Sequence, residues 1–149
     1  MEAPTNETLL VEHAVEPVQY RVYADTPLSE VIGLMIRKEI RVVPVVGERY
    51  EVLGIITTGD ALSQILKEAP GEKMLTDGRI AARDVMVRSV LCVSETQPLG
   101  DAARKMADRN LEQLPVVRDG ELIGLITRDT ILKAMHAVSS NNDEPTGIS

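Results

Sequence analysis

The chain has 149 residues, 44% of them hydrophobic, a formal net charge of −7, one cysteine, two histidines and only three aromatic residues, all tyrosines. An acidic surface with so few stacking platforms argues against nucleic acid as a partner. Lone Cys92 excludes an internal disulfide, and the distant His13 and His136 offer no ligand set for a structural metal.

The length suffices for one sizeable core or for two small ones that share a face. No apolar run approaches the roughly 18 to 20 residues of a membrane span. The acidic start MEAPTNE lacks the basic and apolar regions of a secretory signal, so a soluble, cytoplasmic protein is expected, with no membrane partner.

The polar, turn-rich start MEAPTNE predicts a disordered tail over residues 1–11. VQYRVYA then predicts a strand, PLSEVIGLMIRK a helix, VVPVV and VLGIIT a hairpin, and GDALSQILKE a second helix. Ala69-Pro70-Gly71 stops that helix and Asp77-Gly78 marks a turn, so residues 69–80 read as a connector, with a short helical turn in EKMLTD. MVRSVLCVS predicts another strand, with Cys92 as a small core residue. Thr96 and Pro98 signal a helix start, and Leu99, Ala102, Ala103, Met106 and Ala107 recur at helical spacing behind them. LPVV, the turn Arg118-Asp119-Gly120 and LIGLIT give a second hairpin, DTILKAMH opens a last helix, and residues 139–149 predict a second disordered tail.

These elements repeat. Pro27 and Pro98 are 71 residues apart, as are Pro44 and Pro115, while Gly54 and Gly124 are 70 apart because the first hairpin loop holds one extra residue. The reading is an α/β (α+β) chain of two β-α-β-β-α repeats, residues 12–68 and 81–138. Each repeat is near the lower size limit for independent stability, so they are expected to pack as a pseudo-twofold pair. Met35 and Met106 hold the same repeat position and read as helix-face core.

The junction GIITTGD, residues 54–60, places polar residues where a strand meets a helix start, and two roles fit it. As a cap, Thr57 and Asp60 would satisfy the free N–H groups of the helix. As a binding site, the helix N-terminus would attract a phosphate, Thr57 or Thr58 would donate a hydroxyl to it, and Asp60 would accept bonds from two ribose hydroxyls. The second junction, GLITRDT, puts Thr130 in the place of Asp60 and moves the carboxylate to Asp129. That shift turns the side chain by about 100° on a helix, away from a ribose and toward a capping role. Arg41, ahead of VVPVV, would pair with a phosphate, whereas its counterpart Glu112 would repel one.

The tandem grammar, the T-P-L and Q-P-L helix starts, the VPVV and LPVV strands, the G-apolar-apolar-Thr junctions and ARDVM before the second repeat resemble a cystathionine β-synthase (CBS) domain pair, or Bateman module, over roughly residues 12–138. In that family G-x-x-T-x-x-D binds adenosyl nucleotides, with Thr toward phosphate, Asp on ribose and the base in an apolar slot. Carried over by position, the resemblance implies a first site of Thr57, Thr58, Asp60 and Arg41 with Val15, Val18 and Ile40 as the slot. It implies a second, degenerate site at Thr127, Arg128, Asp129, Thr130 and Ser89, with Arg128 lending charge to the first site's phosphates. It implies a non-catalytic homodimeric module that senses AMP, ADP or ATP, with S-adenosylmethionine ranked after them, in the cleft between the two repeats, and that signals through conformation or oligomer state or to a separate effector protein. The nucleotide would be a regulatory ligand, with no catalytic cofactor. The competing reading is a ligand-free dimerisation or protein-interaction module. An enzyme ranks third, because the chain carries no nucleophile triad, phosphate-binding P-loop or zinc-protease motif.

Overall fold

The computed structural model describes residues 9–67, 80–88 and 90–142. A 3-10 turn at Val11–His13 leads to β1 (Glu16–Pro17), β2 (Val22–Tyr23), α1 (Leu28–Lys38), β3 (Val42–Val46), β4 (Val52–Thr57) and α2 (Thr58–Lys67). After the connector come α3 (Ala82–Val85), β5 (Val93–Ser94), α4 (Leu99–Asp108), β6 (Gln113–Arg118), β7 (Glu121–Thr127) and α5 (Arg128–Asn142). Apart from Ile80, the connector predicted at 69–80, including its EKMLTD turn, lies outside the described residues.

The first strand of each repeat is far shorter than VQYRVYA and MVRSVLCVS predict. β2 pairs in parallel with β3 only at Val22↔Val45 and Tyr23↔Val46, and β5 with β6 only at Val93↔Val116 and Ser94↔Val117. Side chains end both ladders. Thr26 Oγ1 accepts the Tyr23 N–H at 3.0 Å and Gln97 Oε1 accepts the Ser94 N–H at 2.7 Å, which turns the chain toward α1 and α4. Cys92 therefore lies just ahead of β5, half-buried, and burial pushes its thiol pKa up.

Two compact units form, and they differ from the two sequence repeats. One comprises the described residues of Met1–Val18, Leu91–Asp119 and Ile123–Ser149; the other comprises those of Gln19–Val90 and Gly120–Leu122. Each unit thus contains the leading segment of the other repeat. In the second-repeat unit, Val11 and Glu12 N–H groups donate to Gln97 and Glu95 carbonyls at 2.8 and 2.9 Å, and Leu99 N–H donates to the Leu9 carbonyl at 2.8 Å. In the first-repeat unit, Ala82 and Arg83 donate to Thr26 and Ala24 at 2.8 and 2.9 Å, and Leu28 donates to Ile80 at 2.8 Å. The two sets match bond for bond at a spacing of 71 residues.

The same exchange explains the repeated glycine. β1 pairs antiparallel with β7, opposing Pro17 to Gly124, and Val87 bridges to Ile55 of β4. A Cβ on Gly54 would lie 2.6 Å from the Val87 carbonyl oxygen, and one on Gly124 would collide with the Glu16 backbone and the Val15 side chain. Only glycine lets the exchanged backbone approach this closely.

The sheets order as β1-β7-β6-β5 and β2-β3-β4. One core gathers Val11, Val93, Leu99, Met106, Leu114, Val116, Ile126 and Ile131; the other gathers Val22, Leu28, Val31, Met35, Val43, Val45, Ile56 and Met86. Both repeat methionines are buried core, as their shared position predicts. The tail boundaries change. Leu9 and Val11, assigned to the N-terminal tail by composition, are buried in the core because their backbone is held by residues 95–99. Helix α5 extends to Asn142, past the predicted tail start at 139, because Val138 is a buried anchor of the same core.

Candidate functional site: the two strand–helix junctions

Each junction is closed by a reciprocal cap. Asp60 N–H donates to Thr57 Oγ1 at 3.0 Å, while Thr57 N–H donates to Asp60 Oδ2 at 3.0 Å. This is a capping box with an aspartate in the third helical position, and it satisfies two backbone donors at once. The bonds occupy one lone pair of a carboxylate that can accept about four hydrogen bonds, so capping does not use up its acceptors. Asp60 and Thr57 are half-buried, and Thr58 and Gly59 are exposed. Thr58 N–H donates to the Arg41 carbonyl at 2.9 Å, which ties the entry of β3, with Ile40 and Arg41, to the start of α2. The Arg41 side chain is exposed and has no ion-pair partner among the described residues.

The second junction builds the same cap from a hydroxyl. Thr130 N–H donates to Thr127 Oγ1 at 3.1 Å and Thr127 N–H to Thr130 Oγ1 at 2.9 Å, while the Thr130 hydroxyl donates to the Thr127 carbonyl at 3.1 Å. Thr130 is 7% exposed, whereas Asp129 is exposed and joins no cap. The sequence reading gave Asp129 the capping role. The reciprocal bond needs the residue three positions after Thr127, and that residue is Thr130. Arg128 is held within its own unit: Nε donates to the Leu111 carbonyl at 3.0 Å, a terminal nitrogen donates to Asn110 Oδ1 at 3.0 Å, and the other lies 3.7 Å from Glu112.

The unit carrying Asp60 therefore brings together Thr57, Thr58, Asp60, Ile40 and Arg41. Val15 and Val18 are not brought to this junction within its unit; they belong to the unit that holds Thr127–Thr130, with Val15 packed on that core. The segment lying against β4, the strand that leads to Asp60, is instead the one around Val87, 45% exposed and bridged to Ile55. Strand exchange hid this from a reading by sequence order; the 71-residue match between Glu16 and Val87 was the available signal. Ser89 lies outside the described residues. Among the described residues no cluster of His, Cys, Asp or Glu is arranged for a metal ion, and no helix is long and apolar enough to cross a membrane.

A duplicated α/β chain with a capped polar junction at the start of each closing helix defines the class of protein. The sequence profile described as CBS domain matches residues 15–67 and 82–137, and the chain belongs to that family. It is 31% identical over 141 residues to an uncharacterised protein of Methanocaldococcus jannaschii, covering 76% of this chain and 84% of that one. Other relatives extend well beyond the matched region: the chain spans 44% of an uncharacterised Methanopyrus kandleri protein (33% identity, 61% of this chain) and 22% of the L-aspartate semialdehyde sulfurtransferase of M. jannaschii (25% identity, 82% of this chain). Among solved structures, CBSX2 of Arabidopsis thaliana in complex with AMP superposes with a TM-score of 0.74 at 26% identity, covering 87% of this chain and 98% of that one. The CBS domain pair of protein MJ0100, in complex with 5′-methylthioadenosine and S-adenosyl-L-methionine, superposes with a TM-score of 0.66 at 25% identity, covering 84% and 98%.

Proposed function

We propose that the protein is a non-catalytic regulatory module that binds an adenosine-containing ligand at the Thr57–Asp60 junction. The observation that carries this is the retained carboxylate. Thr130 shows that a hydroxyl completes the same cap, so capping alone does not require Asp60. A carboxylate at a helix N-terminus with spare acceptors suits a ribose diol, and the positive end of α2 with the Thr58 hydroxyl suits a phosphate. Arg41, without an ion-pair partner among the described residues, adds a cation next to the junction. Ile40 and Val87 supply apolar surface for a base in place of Val15 and Val18. CBSX2 and the MJ0100 domain pair, which carry adenosine compounds, support the same ligand class.

In this reading AMP, ADP and ATP are the first candidates and S-adenosylmethionine follows, so the module reports cellular energy state in the cytoplasm. The second junction does not bind in the same way, because it has Thr130 for Asp60 and its arginine is engaged by Asn110, Leu111 and Glu112. Output passes through a homodimer or a separate effector protein. Exposed Ile36 on α1 and Leu62 and Leu66 on α2, 72%, 57% and 72% accessible, give the helices of this unit apolar contact surface, and Leu132 does so on the other unit. That surface also favours the second reading, a ligand-free dimerisation module. Calorimetric titration with AMP, ADP, ATP and S-adenosylmethionine separates the two: saturable binding supports the sensor, and silence toward all four with a stable dimer supports the alternative.

A further inference from the structure

We propose that the unit carrying Asp60 holds a second ligand site, for a small zwitterion of the free amino-acid class, at the tip of its β3–β4 hairpin. The two repeats hold different residues at this matching position. In the second-repeat unit, Arg118 at the hairpin tip makes two hydrogen bonds to Glu95, Nε to Oε1 at 2.6 Å and a terminal nitrogen to Oε2 at 2.7 Å. Glu95 first, then Asp119 and Glu12, raise the Arg118 pKa by their negative charge. Matching strand registers and backbone bonds place Ala24, Gly47 and Arg83 at the positions of Glu95, Arg118 and Glu12.

Both positions of the ion pair thus hold small residues in this unit, and the third carries the opposite charge. A cavity of about 700 Å³ stands there, lined by Ala24, Gly47 and Arg83 with Tyr23 and Leu53 as apolar walls. Two guanidiniums, Arg49 and Arg83, face it without an ion-pair partner among the described residues. Three carboxylates, Asp25, Glu48 and Glu51, line the remainder. Two cations against three anions disfavour a simple anion, and the two guanidiniums disfavour a simple cation. A ligand bearing both a carboxylate and an ammonium meets both sets, its carboxylate taking the space that Glu95 fills in the other unit.

The hairpin tip is ordered by its own bonds, Gly47 N–H to the Glu51 carbonyl at 2.9 Å and Tyr50 N–H to the Gly47 carbonyl at 3.0 Å, with Arg21 stacked 4.6 Å from the Tyr50 ring. The site lies at the opposite end of β3 from the Val42–Thr57 pair, about 13 Å away for four residues of strand, so it is separate from the Asp60 junction.

The test is a ¹H–¹⁵N correlation titration of the full chain with glycine, L-glutamate and L-arginine, with acetate and methylamine as half-ligands. The expected result is movement of the Ala24, Gly47 and Arg83 amides by at least one amino acid, with affinity about tenfold or more above either half-ligand. Ala24→Glu with Gly47→Arg rebuilds the ion pair of the other unit inside the cavity and is expected to abolish those shifts, leaving any AMP response at Asp60 intact. The Glu51 side chain packed against Gly47 must swing aside to admit the arginine. Should that double variant fail to fold, Arg83→Glu, which copies Glu12, serves in its place. Amides unmoved by all three amino acids, or shifts that survive these substitutions, would overturn the proposal.

Discussion

Replacing Asp60 by threonine and by alanine separates its two roles. In Asp60→Ala the Thr57 N–H, bonded to Asp60 Oδ2 at 3.0 Å in a half-buried setting, loses its acceptor. Loss of an N-terminal cap costs about 1–2 kcal/mol, which lowers Tm by about 2–8 °C for a chain of this size. Asp60→Thr copies the second junction, where Thr130 makes the reciprocal bonds at 2.9 and 3.1 Å, so its stability is expected within about 0.5 kcal/mol of wild type. Ligand affinity behaves differently. A ribose diol held by two hydrogen bonds to a carboxylate loses about 2–4 kcal/mol with either substitution, on the order of 30- to 1000-fold in Kd. Calorimetry with AMP and thermal melts on the three proteins read the two quantities independently. If Asp60→Thr melts as low as Asp60→Ala, the cap equivalence between the repeats is wrong. If it binds AMP like wild type, the carboxylate is not the ribose acceptor.

Three further outcomes follow from the fold. Gly54→Ala places a Cβ 2.6 Å from the Val87 carbonyl oxygen and 2.9 Å from Met86, and backbone cannot swing aside, so a loss of about 1–3 kcal/mol is expected in urea unfolding. Glu39 ends α1 in the left-handed conformation at φ 54, and Glu39→Gly is expected to gain about 0.5–1 kcal/mol in the same assay because it removes the Cβ strain there. The Arg118 guanidinium holds the Glu95 carboxyl below its ordinary value. Its contribution is therefore present above the unfolded carboxyl range, about pH 4.3, and is lost as pH falls through the folded value, so wild type and Glu95→Gln should converge in stability under acid. A gap that persists to the lowest pH would remove the ion pair as its cause.

Much of this molecule is legible in the residues. The duplication, the order of elements, the buried helix stripes and both junctions appear in the spacing of prolines, glycines and apolar positions, because local propensity and core packing agree there. The candidate site was legible as a set of side chains at a helix start. Its walls were less so: Val15 and Val18 open the first repeat in sequence yet belong to the unit of the second. Segments of two or three residues such as Glu16–Pro17, and single bridges such as Val87 to Ile55, carry no periodicity of their own. What fixes them is the partner strand, an open sheet edge with a glycine to let them close in.

The sequence by itself determined the family, the two repeats and which residue types meet at each junction. The tertiary structure decided that Leu9 and Val11 belong to a core, that Thr130 and not Asp129 closes the second cap, and that Ala24 and Gly47 leave a cavity where Glu95 and Arg118 fill one. In the first and third cases strand-edge and side-chain pairing act between residues tens of positions apart, whereas propensity and pattern act within about one turn or one strand. The second is local, and turns on which side chain of the first helical turn reaches back to the Thr127 N–H.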